Sequence, residues 1–302
     1  MVKKLKLDVL IPTYNEEKNI GNLLNQIKQQ TIYPQIKNIY VLSDASTDKT
    51  HEIVKEHSKK DKKIKLIVKK RRRGKSDSLN IGFKKSNSDI LIMLDGDIGF
   101  DENKALSSLV KPLIKNKDIG LVSLRKKPID YKNNFASLAS LFSYYLIKEL
   151  ITGKRDYLYN NFYGTTGCAI SMPKKIYKNL SIRGSGGTDQ DLFFCVIERG
   201  YRTFYADDFY VLYKMPFTTS DYLKQNIRFR KAFGKKVLNN NTRYSIKIES
   251  GGYYSSLLKT LFKHPLCFMA WAPLYLIGKF MYLKESDKKD SKGYWEIPIS
   301  TK

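Results

Sequence analysis

The first hundred residues alternate between short β-branched or aliphatic runs and longer amphipathic stretches, and that alternation leaves few architectures open. LDVLIPTY (7–14), IKNIYVLSD (36–44), KIKLIVKK (63–70) and DILIMLD (89–95) read as strands. Between them lie NEEKNIGNLLNQIKQQ, where Ile20, Leu23, Leu24 and Ile27 recur at helical spacing, STDKTHEIVKEHSKK, with Ser46 or Thr47 as its N-cap, and KSDSLNIGFKKS. A βαβαβαβ order predicts a parallel sheet with helices on both faces. Ligands of such sheets bind beyond the carboxyl ends of the strands.

Polar residues of special character stand at those ends. IPTYNE follows the first strand, LSDASTD the second, RRRGKSDSLNIG the third, and ILIMLDGDIGF closes the fourth with Asp95 and Asp97. Alternate residues of an extended chain share a side, so both carboxylates can point at one place, where their repulsion calls for a cation. Hard oxygen ligands suit Mg²⁺ or Mn²⁺, with phosphate oxygens completing the shell. Asp44 can accept from a nucleobase imide, Tyr14 can wall it, and Arg71, Arg72, Arg73 and Lys75 around Gly74 form a flexible cationic loop suited to a diphosphate. Each feature has a plainer reading: a helix cap, a solvated turn, an acidic surface turn. Their recurrence at successive strand ends favours a ligand site.

Composition narrows the partners. The 302 residues carry 55 Lys+Arg against 29 Asp+Glu, a net charge of +26 that calls for something anionic: phosphate-bearing substrates, an acidic membrane or nucleic acid. No recognisable nucleic-acid-binding module is present, and none is expected as a partner. Cys168, Cys195 and Cys267 are scattered, without metal-ligand spacing, which fits a reducing compartment. The basic N-terminus has an apolar run broken by Asp8 and Pro12, unlike a signal peptide. Downstream, FASLASLFSYYLIKELI and the basic SDYLKQNIRFRKAFGKKVL read as helices. HPLCFMAWAPLYLIGKFMYL, His264–Leu283, is long enough to cross a bilayer but contains Pro265, Pro273 and Lys279. Lys259 and Lys263 precede it, and Lys284, Lys288 and Lys289 follow. Symmetric flanks favour a helix or broken helix in the cytoplasmic leaflet, against the alternatives of a crossing or a buried core helix. The tail GYWEIPISTK either folds back through Trp295 or is disordered.

In this order the motifs resemble those of the family two inverting glycosyltransferases of the GT-A fold, which carry P-x-Y-N-E, D-D-x-S-T-D, G-K-x-x-A-L-N and DxD. GTTGCAISMPKKIY is similar to that family's acceptor loop, GTDQDLFF resembles its T-E-D motif, and QNIRFR is similar to the Q-x-x-R-W signature of polysaccharide-building members. The likeness runs from about residue 8 to 234. It implies a Rossmann-like mixed α/β sheet flanked by helices, with a C-terminal membrane-associated helical segment. The division would be a nucleotide-sugar half (1–100), an acceptor-binding and catalytic half of the same domain (101–240), and the membrane-associated segment with its tail (241–302).

Carried over residue by residue, the resemblance makes Pro12, Tyr14 and Glu16 the lining of the nucleotide site and Asp44 the ligand of the base, conventionally uracil. Lys75 meets the phosphates. Asp97 holds the Mg or Mn ion, and Asp95 assists it from nearer the nucleotide. Asp189 is the expected general base, with Asp191 as its rival or as an acceptor-positioning carboxylate. Gln225, Arg228 and Phe229 match the signature that closes over diphosphate and acceptor. Four positions depart from the family pattern: Ser43 replaces an aspartate, Ala45 a usual glycine, Thr188 a glutamate and Phe229 the tryptophan, the last weakening any inference of processive synthesis. The implied activity is metal-dependent, inverting transfer from a UDP-sugar to a hydroxyl of a glycan, polysaccharide or lipid-linked acceptor at the cytoplasmic face of the cell membrane. A sugar-nucleotide nucleotidylyltransferase is the alternative, but its glycine-rich loop should follow the first strand, where IPTYNE stands. A non-enzymatic nucleic-acid binder accounts for the charge alone.

Overall fold

A computed structural model describes residues 5–153, 156–165, 168–182, 187–239 and 250–285. Trp295, Lys288 and Lys289, and Thr166 and Gly167 of the small-residue loop, lie outside them. The strands are β1 (Leu7–Thr13), β2 (Ile36–Ser43), β3 (Ile64–Val68), β4 (Ile90–Leu94), β5 (Ile98–Phe100), β6 (Ile119–Ile129), β7 (Ala169–Pro173) and β8 (Arg202–Lys214). The helices are α1 (Ile20–Lys28), α2 (Thr50–Lys60), α3 (Lys75–Lys85), α4 (Ala105–Lys115), α5 (Phe135–Thr152), α6 (Lys174–Tyr177), α7 (Thr188–Glu198), α8 (Thr219–Asn239), α9 (Ser250–Lys263) and α10 (Pro265–Glu285).

The eight strands form one sheet in the order β3-β2-β1-β4-β7-β6-β8-β5. Its first four are parallel, with Val9 opposite both Ile39 and Ile92. β7 then runs antiparallel to β4, placing Ser171 opposite Ile92, and β5 runs antiparallel to β8. The mixed sheet of the expectation is therefore present, its parallel part built by four strands with three helices between them and its antiparallel part by the less regular chain beyond. Two-residue periodicity divides the core. Leu7, Val9 and Ile11 of β1 join the apolar faces of α1 and α4 on one side, while Leu10 meets Leu79 and Phe83 of α3 and Leu192 of α7 on the other. Asp8 is buried on that second side, and Asn38 Nδ2 and Ser86 Oγ donate to its carboxylate at 2.8 and 2.7 Å.

Two helix starts differ from the sequence expectation. Asn15 adopts φ 54°, so the chain turns before α1 can begin. α2 begins at Thr50, where Asp48 accepts from both the Thr50 N–H (3.0 Å) and its hydroxyl (2.6 Å). Ser46 and Thr47 are not its caps. They bind Asn15 instead: its N–H donates to Ser46 Oγ (3.1 Å) and its Oδ1 accepts from the Thr47 N–H (2.8 Å). The loops after β1 and β2 are thus laced together.

The described residues fall into two compact units: those within Met1–Lys127 and Leu158–Tyr213, and those within Pro128–Tyr157 and Lys214–Thr301. The first holds nearly all of the sheet. In the second, α10 packs along α5 and α8, and α9 packs along α5. Asn134 caps α5 by accepting from the Ser137 N–H at 2.9 Å.

Candidate active site

Four strand ends of the first unit supply the chemistry. Beyond β1, buried Glu16 accepts from Asn19 Nδ2 at 2.9 Å. A Cβ added to Gly96 would lie 3.0 Å from Glu16 Cγ and 3.1 Å from Thr13 Cγ2, so the residue between the two aspartates has to be small. Glu16 therefore runs alongside the DxD turn.

Beyond β2, Asp44 is only 5% exposed, and its two oxygens accept from the N–H of Arg73 (2.8 Å), the N–H of Gly74 (2.7 Å) and Lys69 Nζ (2.6 Å). Lys69, itself buried, also reaches Asp77 Oδ2 (2.9 Å) and the Gly74 carbonyl (3.2 Å). Gly74 holds φ 90°, a conformation open to glycine and costly to other residues. The basic loop, expected to be flexible, is tied at its base by a carboxylate and an ammonium. The Arg72 guanidinium lies 3.8 Å from the centre of the Tyr14 ring, so one face of the expected aromatic wall already carries a cation.

Lys75 opens α3 and pairs with Asp95 at 2.5 Å. Burial alone would lower its pKa, but Asp95, and after it Asp189, outweigh that effect and hold the ammonium well above the usual lysine range. The Asp95 N–H donates to the Cys168 carbonyl at 2.9 Å, tying the end of β4 to the chain that enters β7. Burial first, and then nearby Asp95, push the Cys168 thiol up to about 12, so it is a protonated thiol at neutral pH.

Asp189 lies in the first turn of α7, which follows Gly187 at φ 68°. Thr188 Oγ1 stands 3.4 Å from Ser76 Oγ, so the starts of α7 and α3 meet. Pro12, Lys75, Asp95, Thr188 and Asp189 line one cleft over an apolar floor of Leu79, Met93, Ile170 and Leu192. Pro12, Lys75, Asp95 and Asp189, far apart in sequence, are brought together. Asp97 is half-buried just past Asp95 and bears on the same Cys168 thiol. Asp191 is half-buried further along α7, its N–H donating to the Gly187 carbonyl at 3.1 Å. Gln225, Arg228 and Phe229 belong to α8 of the second unit, where the Arg228 guanidinium lies 5.2 Å from the centre of the exposed Phe229 ring.

Lys69 and Gly96 escape the sequence reading, and Thr188, noted there only as a departure from the family pattern, lines the cleft. Lys69 is one of many lysines and carries no local signal of burial. Gly96 does carry one, being the single small residue between two aspartates. Among the described residues no group of three or more His, Cys, Asp or Glu side chains assembles. What the chain offers a cation is the Asp95–Asp97 pair, hard oxygen donors with one Asp95 oxygen held by Lys75. That set fits a divalent ion that draws its other ligands from phosphate and water.

Comparison with known proteins bears on the family and the fold. The model of the family described as Glycosyl transferase family 2 matches residues 8–180. A probable glycosyltransferase of Bacillus subtilis, YdaM, is 37% identical over 121 residues, 39% of this chain and 28% of that protein. The dolichol-phosphate mannosyltransferase of Pyrococcus furiosus is 29% identical over 119 residues, 39% of this chain and 33% of that one. The matched stretches thus span about a third or less of these relatives' length. Among solved structures, the mannosyltransferase PcManGT of Pyrobaculum calidifontis, in complex with GDP-Man and Mn²⁺, superposes with a TM-score of 0.63 at 18% identity, covering 95% of this chain and 82% of that one. TarS of S. aureus in complex with UDP superposes at 0.54 and 14% identity, covering 93% and 91%. At such identities the likeness is one of fold.

Proposed function

Because this chain belongs to glycosyl transferase family 2, we propose that it moves a sugar from a nucleoside-diphosphate donor, a UDP-sugar, to a hydroxyl of a glycan or lipid-linked acceptor at the cytoplasmic face of a membrane, with inversion at the anomeric carbon. The observation that carries this reading is the convergence of Asp95 and Asp189 on one ammonium, Lys75, in a cleft at the carboxyl ends of the strands. Leaving-group and acceptor chemistry need opposite kinds of group within reach of one another.

In this reading Pro12, Tyr14, Glu16 and Asp44 line the nucleotide end. An ionised carboxylate has about four acceptor directions, and three donors sit on Asp44, which leaves room for a base N–H. Asp97 and Asp95 are the residues that would hold Mg²⁺ or Mn²⁺. When bound, such an ion neutralises charge developing on the leaving diphosphate. Lys75 supplies positive charge to the same phosphates from the start of a helix, where the backbone dipole also favours an anion. Asp189 accepts the proton of the attacking hydroxyl from the far side of the sugar, which gives a single in-line displacement and hence inversion. Asp191 orients the acceptor. On the second unit, Gln225 and Arg228 can bind hydroxyl and anionic groups, and Phe229 offers a ring on which a sugar can stack.

The test is a thermal-shift screen of UDP-, GDP-, CMP- and dTDP-sugars with and without Mn²⁺. A UDP-sugar with Mn²⁺ should stabilise the chain, and Asp97→Ala should remove the metal-dependent part. No stabilisation by any nucleotide would sink the proposal. Asp189→Asn should keep donor binding within about twofold and lower transfer by at least ~10²-fold; equal loss of both would remove Asp189 from the base role.

A further inference from the structure

We propose that α9 and α10 dock the chain in the plane of an anionic lipid surface, their exposed apolar stripes entering one leaflet, and that α10 does not cross the bilayer. The proposal deepens the membrane side of the function above but rests on the second unit alone, so it stands or falls separately from the donor site.

α10 has 21 residues and its sequence is apolar all round, which by composition fits a spanning segment. Its packing, however, is two-faced. Ala270, Trp271 and Leu274 are buried, with the Trp271 ring 4.9 Å from Phe142 of α5. A Cβ at Gly278 would meet Asn226 Oδ1 of α8 at 3.3 Å. Away from these, Leu266, Met269, Leu276, Ile277, Phe280 and Leu283 are exposed, Leu266 by 72% and Met269 by 69%. At 100° per residue those positions fall in one stripe roughly 120° wide.

A crossing conflicts with what α10 packs against. The Arg230 guanidinium of α8 lies 4.3 Å from the centre of the Tyr275 ring and donates to the Tyr275 carbonyl at 3.5 Å, at the midpoint of α10. If α10 spanned the bilayer, Arg230 would sit near its centre, where a charged side chain is strongly disfavoured. Half-buried Arg228 and Lys231 share its helix. Laid in the plane, the same assembly keeps α8 on the water side and gives lipid only the apolar stripe.

α9 adds to that surface. Tyr254, Leu258 and Phe262 recur every four residues along it, and Phe262 is 81% exposed. The break falls at His264, stacked on the Tyr145 ring at 3.8 Å, so the exposed residues resume at Leu266. The charged residues of the two helices are Lys259, Lys263, Lys279 and Lys284 against Glu285. That excess of positive charge beside an apolar stripe fits acidic headgroups above acyl chains.

The experiment uses the full chain with vesicles of phosphatidylglycerol and phosphatidylcholine at 1:3. The wild type should co-float, more strongly at low salt, and L266E/L276E/F280E should float at least tenfold less while keeping the same melting temperature and the same nucleotide response. A C-terminal tag on the chain, expressed in a bacterial host, should resist protease added outside intact spheroplasts, as an N-terminal tag does. Equal flotation of the triple variant, or a C-terminal tag digested from outside, overturns the proposal. So does a wild-type dimer that the triple variant breaks without any vesicle binding, which would give the face to a second copy. Lost nucleotide binding with intact flotation would count against the donor site and not against this surface.

Discussion

Lys69 joins two carboxylates, one backbone carbonyl and the root of the arginine loop, which makes it the residue whose removal should travel furthest. Lys69→Met would leave Asp44 buried with only its two backbone donors, and Asp77 with only the more distant Arg73 guanidinium at 3.9 Å. Breaking a buried pair from one side costs about 3–5 kcal/mol. Because Asp77 is a third exposed, the lower end is expected, read as a fall in the urea midpoint, together with weaker nucleotide binding. Ala45 makes the opposite case. It departs from the glycine that the family resemblance leads one to expect, and it holds φ 60°. Left-handed backbone costs a residue with a Cβ about 1–2 kcal/mol, part of which glycine's greater freedom in the unfolded chain offsets. Ala45→Gly should therefore stabilise the chain by about 0.5–1 kcal/mol in urea unfolding. The substitution was legible in the sequence; its strain was not, because φ is set by the lacing of two loops distant in sequence.

Among the elements, α3 is where packing is least forgiving. A Cβ on Gly82 would stand 2.2 and 2.4 Å from the two methyls of Leu10, a fully buried side chain in the middle of β1. Overpacking costs about 1–3 kcal/mol, and alanine's better helix propensity returns up to ~1. Gly82→Ala should lose about 1–2 kcal/mol by chemical denaturation. The helix itself was readable, since Leu79 and Phe83 are spaced for one face; the contact was not, because nothing local to residues 75–85 says which residue of β1 lies opposite. The same limit explains α2. Ser46 and Thr47 are good caps by type, but Asn15 takes them first. α10 shows the limit at its widest: a helix whose apolar residues run all round it has no face until neighbours bury one.

For the molecule as a whole, burial lowers His57 and His264, whereas the shifted thiols and phenols and Lys75 are raised, and these raised groups govern the alkaline side. Burial and nearby acids raise the Cys168 thiol to about 12 from 9.0, and Lys75 and Tyr33 are raised as well. Each is protonated in the fold at pH values where the unfolded chain has released its proton, so their contribution is complete below pH 9 and is lost as pH rises beyond it. In metal-free buffer the urea midpoint should hold steady from pH 7 to 9 and fall by pH 10.5, with Cys168→Ala falling less. By itself the sequence determined the strand–helix order, the parallel half of the sheet and the residue types at each strand end, because periodicity and turn chemistry are local properties of the chain. Only tertiary structure decided that Lys75 stands between Asp95 and Asp189, that Lys69 rather than any arginine fixes the loop, and which side of α10 is free. Those outcomes depend on which distant groups share a dry space, where charge and shape count most and sequence separation counts for nothing.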